Sequence, residues 1–181
     1  MALAPTLYDF DVILSHVDRG IDAQLHFKTA RHPSESMERV WLRVLAFCCL
    51  HEERLAFGPG LSDSDAPDLV ADDLTGQRTL LVRVGRQDPV KVQKEADRAG
   101  KARVALFLDS AARLEAFRAE AAAAGLSSRI GKVELYAPDA ALLRFLAPRE
   151  ERRQKLSLTV VGDHLYLDLG GESADGALHR G

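Results

Sequence analysis

The residues best able to do chemistry gather between Gly60 and Lys94. A turn-rich loop carries Asp63, Asp65 and Pro67-Asp68, with Asp72 and Asp73 close behind. Leu80-Leu81-Val82 is short and apolar and leads through Arg83 to Gly85. Asp88-Pro89 then opens a segment bearing Lys91, Lys94, Arg98 and Lys101. Hard carboxylate oxygens attract divalent cations, and magnesium takes a few of them together with water. A bound cation activates water and stabilises charge at phosphorus, and a positioned lysine adds to that stabilisation. An acidic loop and a strand meeting at a cation beside a basic helix is thus a layout for cleaving phosphodiesters. Arg83 is the residue that does not fit. A divalent ion held 4 Å from a guanidinium costs roughly 8 kcal/mol at an effective dielectric near 20.

Each of these residues also has a plain structural reading. Pro67-Asp68 alone is a turn with a capping aspartate. Glu35 and Glu38 compensate a helix dipole. Lys94 belongs to a solvated helix face. Arg31 and His32 make a solvated cationic turn, although they stand before a helix N-terminus, where backbone N–H groups bind phosphate. The six histidines show no paired ligand spacing, and the adjacent Cys48 and Cys49 do not suit zinc.

The surrounding elements follow from periodicity. Tyr8, Phe10, Val12 and Leu14 alternate with polar neighbours, as do Ile21, Ala23, Leu25 and Phe27. Asp18-Arg19-Gly20 joins the two runs as a hairpin with one wet face. Pro33 suits the first turn of a helix. Met37, Val40, Trp41, Val44, Leu45 and Cys48 give it an apolar face as far as Glu53, with Trp41 in the core. Leu80-Leu81-Val82 is a buried strand, and Asp88 caps a helix with Pro89 at its first position. Val104 to Leu108 is a strand, and a helix runs from Asp109 or Ser110 to a stop at Gly125. Lys132 to Tyr136 is a strand, followed by a short helix from Asp139. Leu156, Leu158 and Val160 pair with Leu165, Leu167 and Leu169 across Gly162-Asp163. Residues 170–181 are glycine-rich and polar, with little beyond Leu178 to bury, and are expected to be disordered. The fold class is α/β (α+β), a mixed central sheet flanked by helices with hairpins at both ends.

The sequence has 181 residues, 46% of them hydrophobic and 28% charged, which suits one domain, expected over residues 1–169. Its net charge of −3 gives no global attraction to nucleic acid, so any such surface must be a local patch. Neighbouring cysteines rarely reach disulfide geometry, so Cys48 and Cys49 are packed thiols of a reducing compartment. No signal peptide and no membrane-spanning run is apparent, and the cytoplasm is the expected location.

One group of residues carries a resemblance along most of the chain. Ala30-Arg31-His32-Pro33-Ser34-Glu35, Glu38-Arg39, Leu45-Ala46-Phe47, Gly60-Leu61-Ser62, Pro67-Asp68-Leu69, Leu74-Thr75-Gly76, Gly85, Lys94 and Arg98 come in the order of the YaeQ family. That family is similar in fold to the PD-(D/E)xK, or restriction-endonuclease-like, nucleases. The resemblance implies a restriction-endonuclease-like core, with Asp68 at the loop position and Glu35 or Glu38 at the helix position. It implies Lys94 as the helix lysine. Asp68 and Glu35 are then the implied metal ligands, with Mg2+ as the cofactor. Arg31, His32, Arg83 and Arg98 are the candidate substrate contacts. At the strand position the pattern has Glu, an apolar residue and Gly, whereas this chain reads Arg83-Val84-Gly85.

Two ways of accommodating Arg83 stay open. Either Arg83 pairs with Asp68 and replaces the cation, or Asp72 or Asp73 supplies a substitute ligand. The first gives a degenerate site on a protein that binds nucleic acid or a protein partner without cutting. The second gives an active magnesium-dependent nuclease using Glu35 or Glu38, Asp68 and Lys94. A third reading is a regulatory binding protein that uses the wet faces of the terminal hairpins.

Overall fold

The structure is a computed structural model and describes residues 4–63 and 65–181. A hairpin opens the chain: β1 (Thr6–His16), a single 3-10 turn (Val17–Arg19), and β2 (Ile21–Arg31). The central helix α1 (Met37–Cys49) follows, then β3 (Ala56–Phe57), β4 (Leu69–Asp72) and β5 (Arg78–Val84). Next come α2 (Pro89–Arg98), β6 (Arg103–Phe107), α3 (Ala111–Ala123), α4 (Ser127–Ile130), β7 (Val133–Pro138) and α5 (Ala140–Leu146). The chain closes with β8 (Arg153–Val161), β9 (His164–Leu169) and β10 (Glu172–Arg180).

All ten strands form one mixed sheet in the order β2-β1-β8-β9-β10-β7-β6-β5-β4-β3. The β1–β8, β5–β6 and β6–β7 pairs are parallel and the others antiparallel. The sheet is barrel-like. Its two outermost strands come together, with Phe27 of β2 and Phe57 of β3 at a ring separation of 5.3 Å. α1 fills the interior. Every residue from Val40 to Leu50 is buried, so beyond its first turn the helix has no wet face, as expected for a helix packed on all sides. The anticipated single apolar face is therefore corrected. The helix is also shorter than its periodicity suggests. Ser36 caps it by accepting from Arg39 N at 3.2 Å, and Pro33 lies in the preceding turn.

α2, α3 and α4 cover the outer face of β5, β6 and β7, making a second core from Leu81, Val92, Leu106, Leu114, Phe117 and Leu135. Alternation along β5 assigns its residues to the two cores. Leu80, Val82 and Val84 point inward to α1, whereas Leu81 points outward to α2. Arg83 shares the outward parity, and this decides its partner.

Residues 170–181 do not form a disordered tail. Glu172–Arg180 is β10, which pairs with β9 on one side and β7 on the other. It joins the half of the sheet built on the first hairpin to the half built on β5–β6–β7. Leu178 is 2% exposed, and Gly176 lies against Asp139 and Leu142. Backbone pairing on both edges replaces the apolar side chains this segment lacks.

Candidate functional site

Pro67-Asp68 is placed by its backbone. Asp68 N donates to Val82 O at 3.0 Å, and Gly58 N donates to Asp68 O at 2.8 Å. A Cβ on Gly58 would lie 2.1 Å from Pro67 O, so only glycine permits this approach. The Asp68 carboxylate is buried, with 6% of the side chain exposed. Its Oδ2 accepts from Val84 N at 2.8 Å and its Oδ1 from Arg39 at 2.6 Å.

Glu35 lies just before α1, with a side chain that is 0% exposed. Oε1 accepts from Arg39 at 2.6 Å and from Arg43 Nε at 2.9 Å. Oε2 accepts from Arg43 at 2.9 Å and from His32 N at 3.3 Å. Arg43 also donates to Thr29 Oγ1 and Ala30 O. Glu35 and Asp68 thus meet through one guanidinium, that of Arg39. Burial would lower the Arg39 pKa, but attraction to Asp68 and hydrogen bonds to Glu35 and Asp68 outweigh it and hold the group charged. Gly85, at φ 82°, keeps the adjacent backbone open, with Arg39 Nε 3.9 Å from where a Cβ would sit.

The other expected residues divide between places. Glu38 is exposed and lines a cavity of about 540 Å3 with Ser36, Arg39, Asp68, Lys91 and Asp109. Lys94 and Arg98 face an adjoining groove of about 750 Å3, together with Leu81, Arg83, Lys91 and Glu95. Lys91, not Lys94, is the helix lysine nearest Asp68's cavity. Arg31 and His32 brace the turn before α1. Arg31 Nε donates to Glu35 O at 2.8 Å, and His32 Nδ1 contacts Ser34 Oγ at 2.7 Å. Neither is among the described residues lining the cavity or the groove.

Arg83 does not pair directly with Asp68, which corrects that expectation. It lies side-on against Glu95 of α2, at 2.9 and 2.8 Å, and donates to Ala66 O and Asp65 O. The Glu95 hydrogen bonds raise its pKa, outweighing burial. Nor do the substitutes join the site. Asp72 pairs with Arg78, and Asp73 accepts from Thr75 and Gln77 within its own turn.

The whole chain has known counterparts. The family model of the YaeQ protein matches residues 1–177. The chain belongs to the YaeQ family. It is 37% identical over 108 residues to the uncharacterized protein YaeQ of Escherichia coli strain K12, and equally to that of Salmonella typhi. The match spans 59% of this chain, and the chain spans 58% of the length of these curated relatives. The crystal structure of YaeQ from Xanthomonas axonopodis pv. citri superposes with a TM-score of 0.86 at 25% identity, covering 98% of both chains. That from Pseudomonas syringae gives 0.84 at 26% identity, over 97% of this chain and 95% of the other.

Tested for a divalent cation, the residues of this YaeQ family member do not fit. Every oxygen of Glu35 and Asp68 already accepts from a guanidinium or a backbone N–H. A cation beside Asp68 would also stand against Arg39. Among the described residues no three His, Cys, Asp or Glu side chains converge as a ligand set. Sequence reasoning misses Arg39 and Arg43. Their signal is the Glu35, Arg39, Arg43 spacing of four, which puts two bases on one face of α1 in line with an acid just before its cap.

The groove has a different character. Lys91, Lys94 and Arg98 have no hydrogen-bond or ion-pair partner among the described residues, while Leu81, Val92 and Ala99 give the wall between them an apolar floor. This is the local basic patch that a chain of net charge −3 requires for any anionic polymer.

Proposed function

We propose that this YaeQ family member is a non-cleaving nucleic-acid-binding protein on a PD-(D/E)xK-like scaffold, acting in the cytoplasm without a magnesium cofactor. The observation that carries the reading is the groove along α2, where Lys91, Lys94 and Arg98 stand unpartnered among the described residues. Lysine and arginine in a groove neutralise successive phosphates and release counterions. The scaffold reading is supported by the succession β4–β5–α2–β6, which carries the Pro67-Asp68 loop and the helix lysines in the order the resemblance implies. Loss of cleavage is supported by the guanidinium between Glu35 and Asp68.

Fluorescence anisotropy with labelled single- and double-stranded DNA tests this. Binding should weaken as salt rises and should be unaffected by EDTA. Lys94→Ala with Arg98→Ala should weaken it at least tenfold and lower the salt slope by about 2, one for each phosphate no longer neutralised. Absence of binding at low salt, or binding unchanged in the double variant, refutes the proposal. Labelled DNA should stay intact with magnesium present.

A further inference from the structure

We infer that Arg39 is the built-in cation of the Glu35–Asp68 site, so that the protein is metal-independent as it stands and conceals a divalent-cation site that the loss of one guanidinium would open. The inference does not depend on what the groove binds.

The geometry is that of a bridge. Two nitrogens of one guanidinium each contact a different carboxylate at 2.6 Å, one from the segment before α1 and one from the loop before β4. These carboxylates are 4 and 29 residues from Arg39, so the bridge ties a distant loop to the start of α1. The side chains of Glu35 and Asp68 are 0% and 6% exposed, which leaves water little part in separating their charges. Arg43, 1% exposed, carries the second positive charge from the far side of Glu35. Two carboxylates and two guanidiniums then balance.

A divalent ion would perform the same task by accepting one oxygen from each acid. Arginine performs it with a charge that is covalently attached, and no chelator can remove it. Arginine also meets carboxylates with planar, directed N–H groups that a spherical ion lacks, which fixes the orientation of Asp68 toward Val84 N. Without the guanidinium, Glu35 keeps Arg43 and His32 N, whereas Asp68 keeps only Val84 N and loses its countercharge, beside a cavity that Glu38 also lines. A buried carboxylate left without its countercharge is relieved by protonation or by a cation.

The test uses the full chain with magnesium, manganese or EDTA, read by calorimetric melting and by manganese titration. The wild type should melt at the same temperature in all three. Arg39→Ala should melt lower in EDTA, recover part of the loss with manganese, and bind manganese at least tenfold more tightly than the wild type. Arg39→Lys, whose single ammonium offers less reach, should lose less stability and gain little manganese response. Should Arg39→Ala fail to fold, Arg39→Met with Asp68→Asn replaces it. The second substitution should return stability, because it removes the carboxylate left without a countercharge. A manganese-dependent melting shift in the wild type overturns the inference. So does a folded Arg39→Ala without any manganese response, or an Asp68→Asn change that lowers stability further.

Discussion

The Arg83 guanidinium lies side-on against Glu95 of α2, with Nε and one terminal nitrogen each donating to a different carboxylate oxygen at 2.9 and 2.8 Å. Its other contacts include the Ala66 and Asp65 carbonyls. One outward-facing residue of β5 thus holds both α2 and the acidic loop. The side chains are 12% and 20% exposed, so the pair is largely shielded from water.

Arg83→Glu therefore should not create a magnesium site. The new carboxylate would face Glu95, while the two oxygens of Asp68 stay held by Arg39 and Val84 N. Two like charges would replace a bidentate pair, and two loop carbonyls would lose their donor. A loss of about 3 kcal/mol is expected, since breaking a shielded pair leaves a charge uncompensated. Urea denaturation with and without magnesium checks this. A magnesium-dependent gain in stability in Arg83→Glu would show that the residue reaches Asp68 after all.

Much of this arrangement is legible in the sequence, and each failure has its own cause. Alternation marks the two hairpins, and Asp88-Pro89 marks the start of α2, because those signals are local. The same alternation holds the answer for Arg83. If Leu80, Val82 and Val84 face the central helix, Arg83 must face away. Reading it as the partner of Asp68 from its position in a motif sets that parity aside. α1 looks amphipathic in sequence because Arg39, Arg43 and Glu38 interrupt its apolar run. Only the tertiary structure shows that Arg43 is a buried partner of Glu35 and not a solvated group. β10 escapes a sequence reading for the opposite reason. Its place between β9 and β7 comes from long-range backbone pairing, which leaves no apolar pattern in Ser173-Ala174-Asp175-Gly176.

Deleting residues 170–181 should abolish cooperative folding. The deletion removes the strand that connects the two halves of the sheet and exposes the full edges of β9 and β7. It also removes Leu178 from the core and the Ala177 N–H and His179 ring that bind Asp139 at 2.8 and 2.6 Å. Soluble expression and a calorimetric scan decide the matter. A truncated chain melting within a few degrees of the full one would contradict the structural role assigned to β10.

The last prediction concerns acid. His16 is 5% exposed and buried among the ends of β1 and β10, and its Nδ1 has no hydrogen-bond partner among the described residues. Burial lowers its pKa below 6.5, and Arg19 and Arg180 add to the effect against the opposing pull of Asp18. His51 is lowered for the same first reason, with Arg19 again adding and Glu52 opposing. In the unfolded chain both imidazoles titrate near the ordinary 6.5. Above that pH they are neutral in both states, and the full contribution to stability is present. As pH falls through 6.5 the unfolded chain takes up protons that the folded chain refuses, so stability declines until the lowered folded values are passed. The wild type should therefore lose stability between about pH 7 and pH 5, a range in which histidine is the side chain that ordinarily titrates. His16→Leu removes one titrating group and should flatten that decline, whatever it does to stability at neutral pH. Arg19→Ala, at an exposed position in the β1–β2 turn, should flatten it less, because burial is the larger cause for both histidines. Urea midpoints measured across this range compare the slopes directly. An unchanged slope in His16→Leu would mean that His16 takes up its proton in the folded protein as readily as in the unfolded chain.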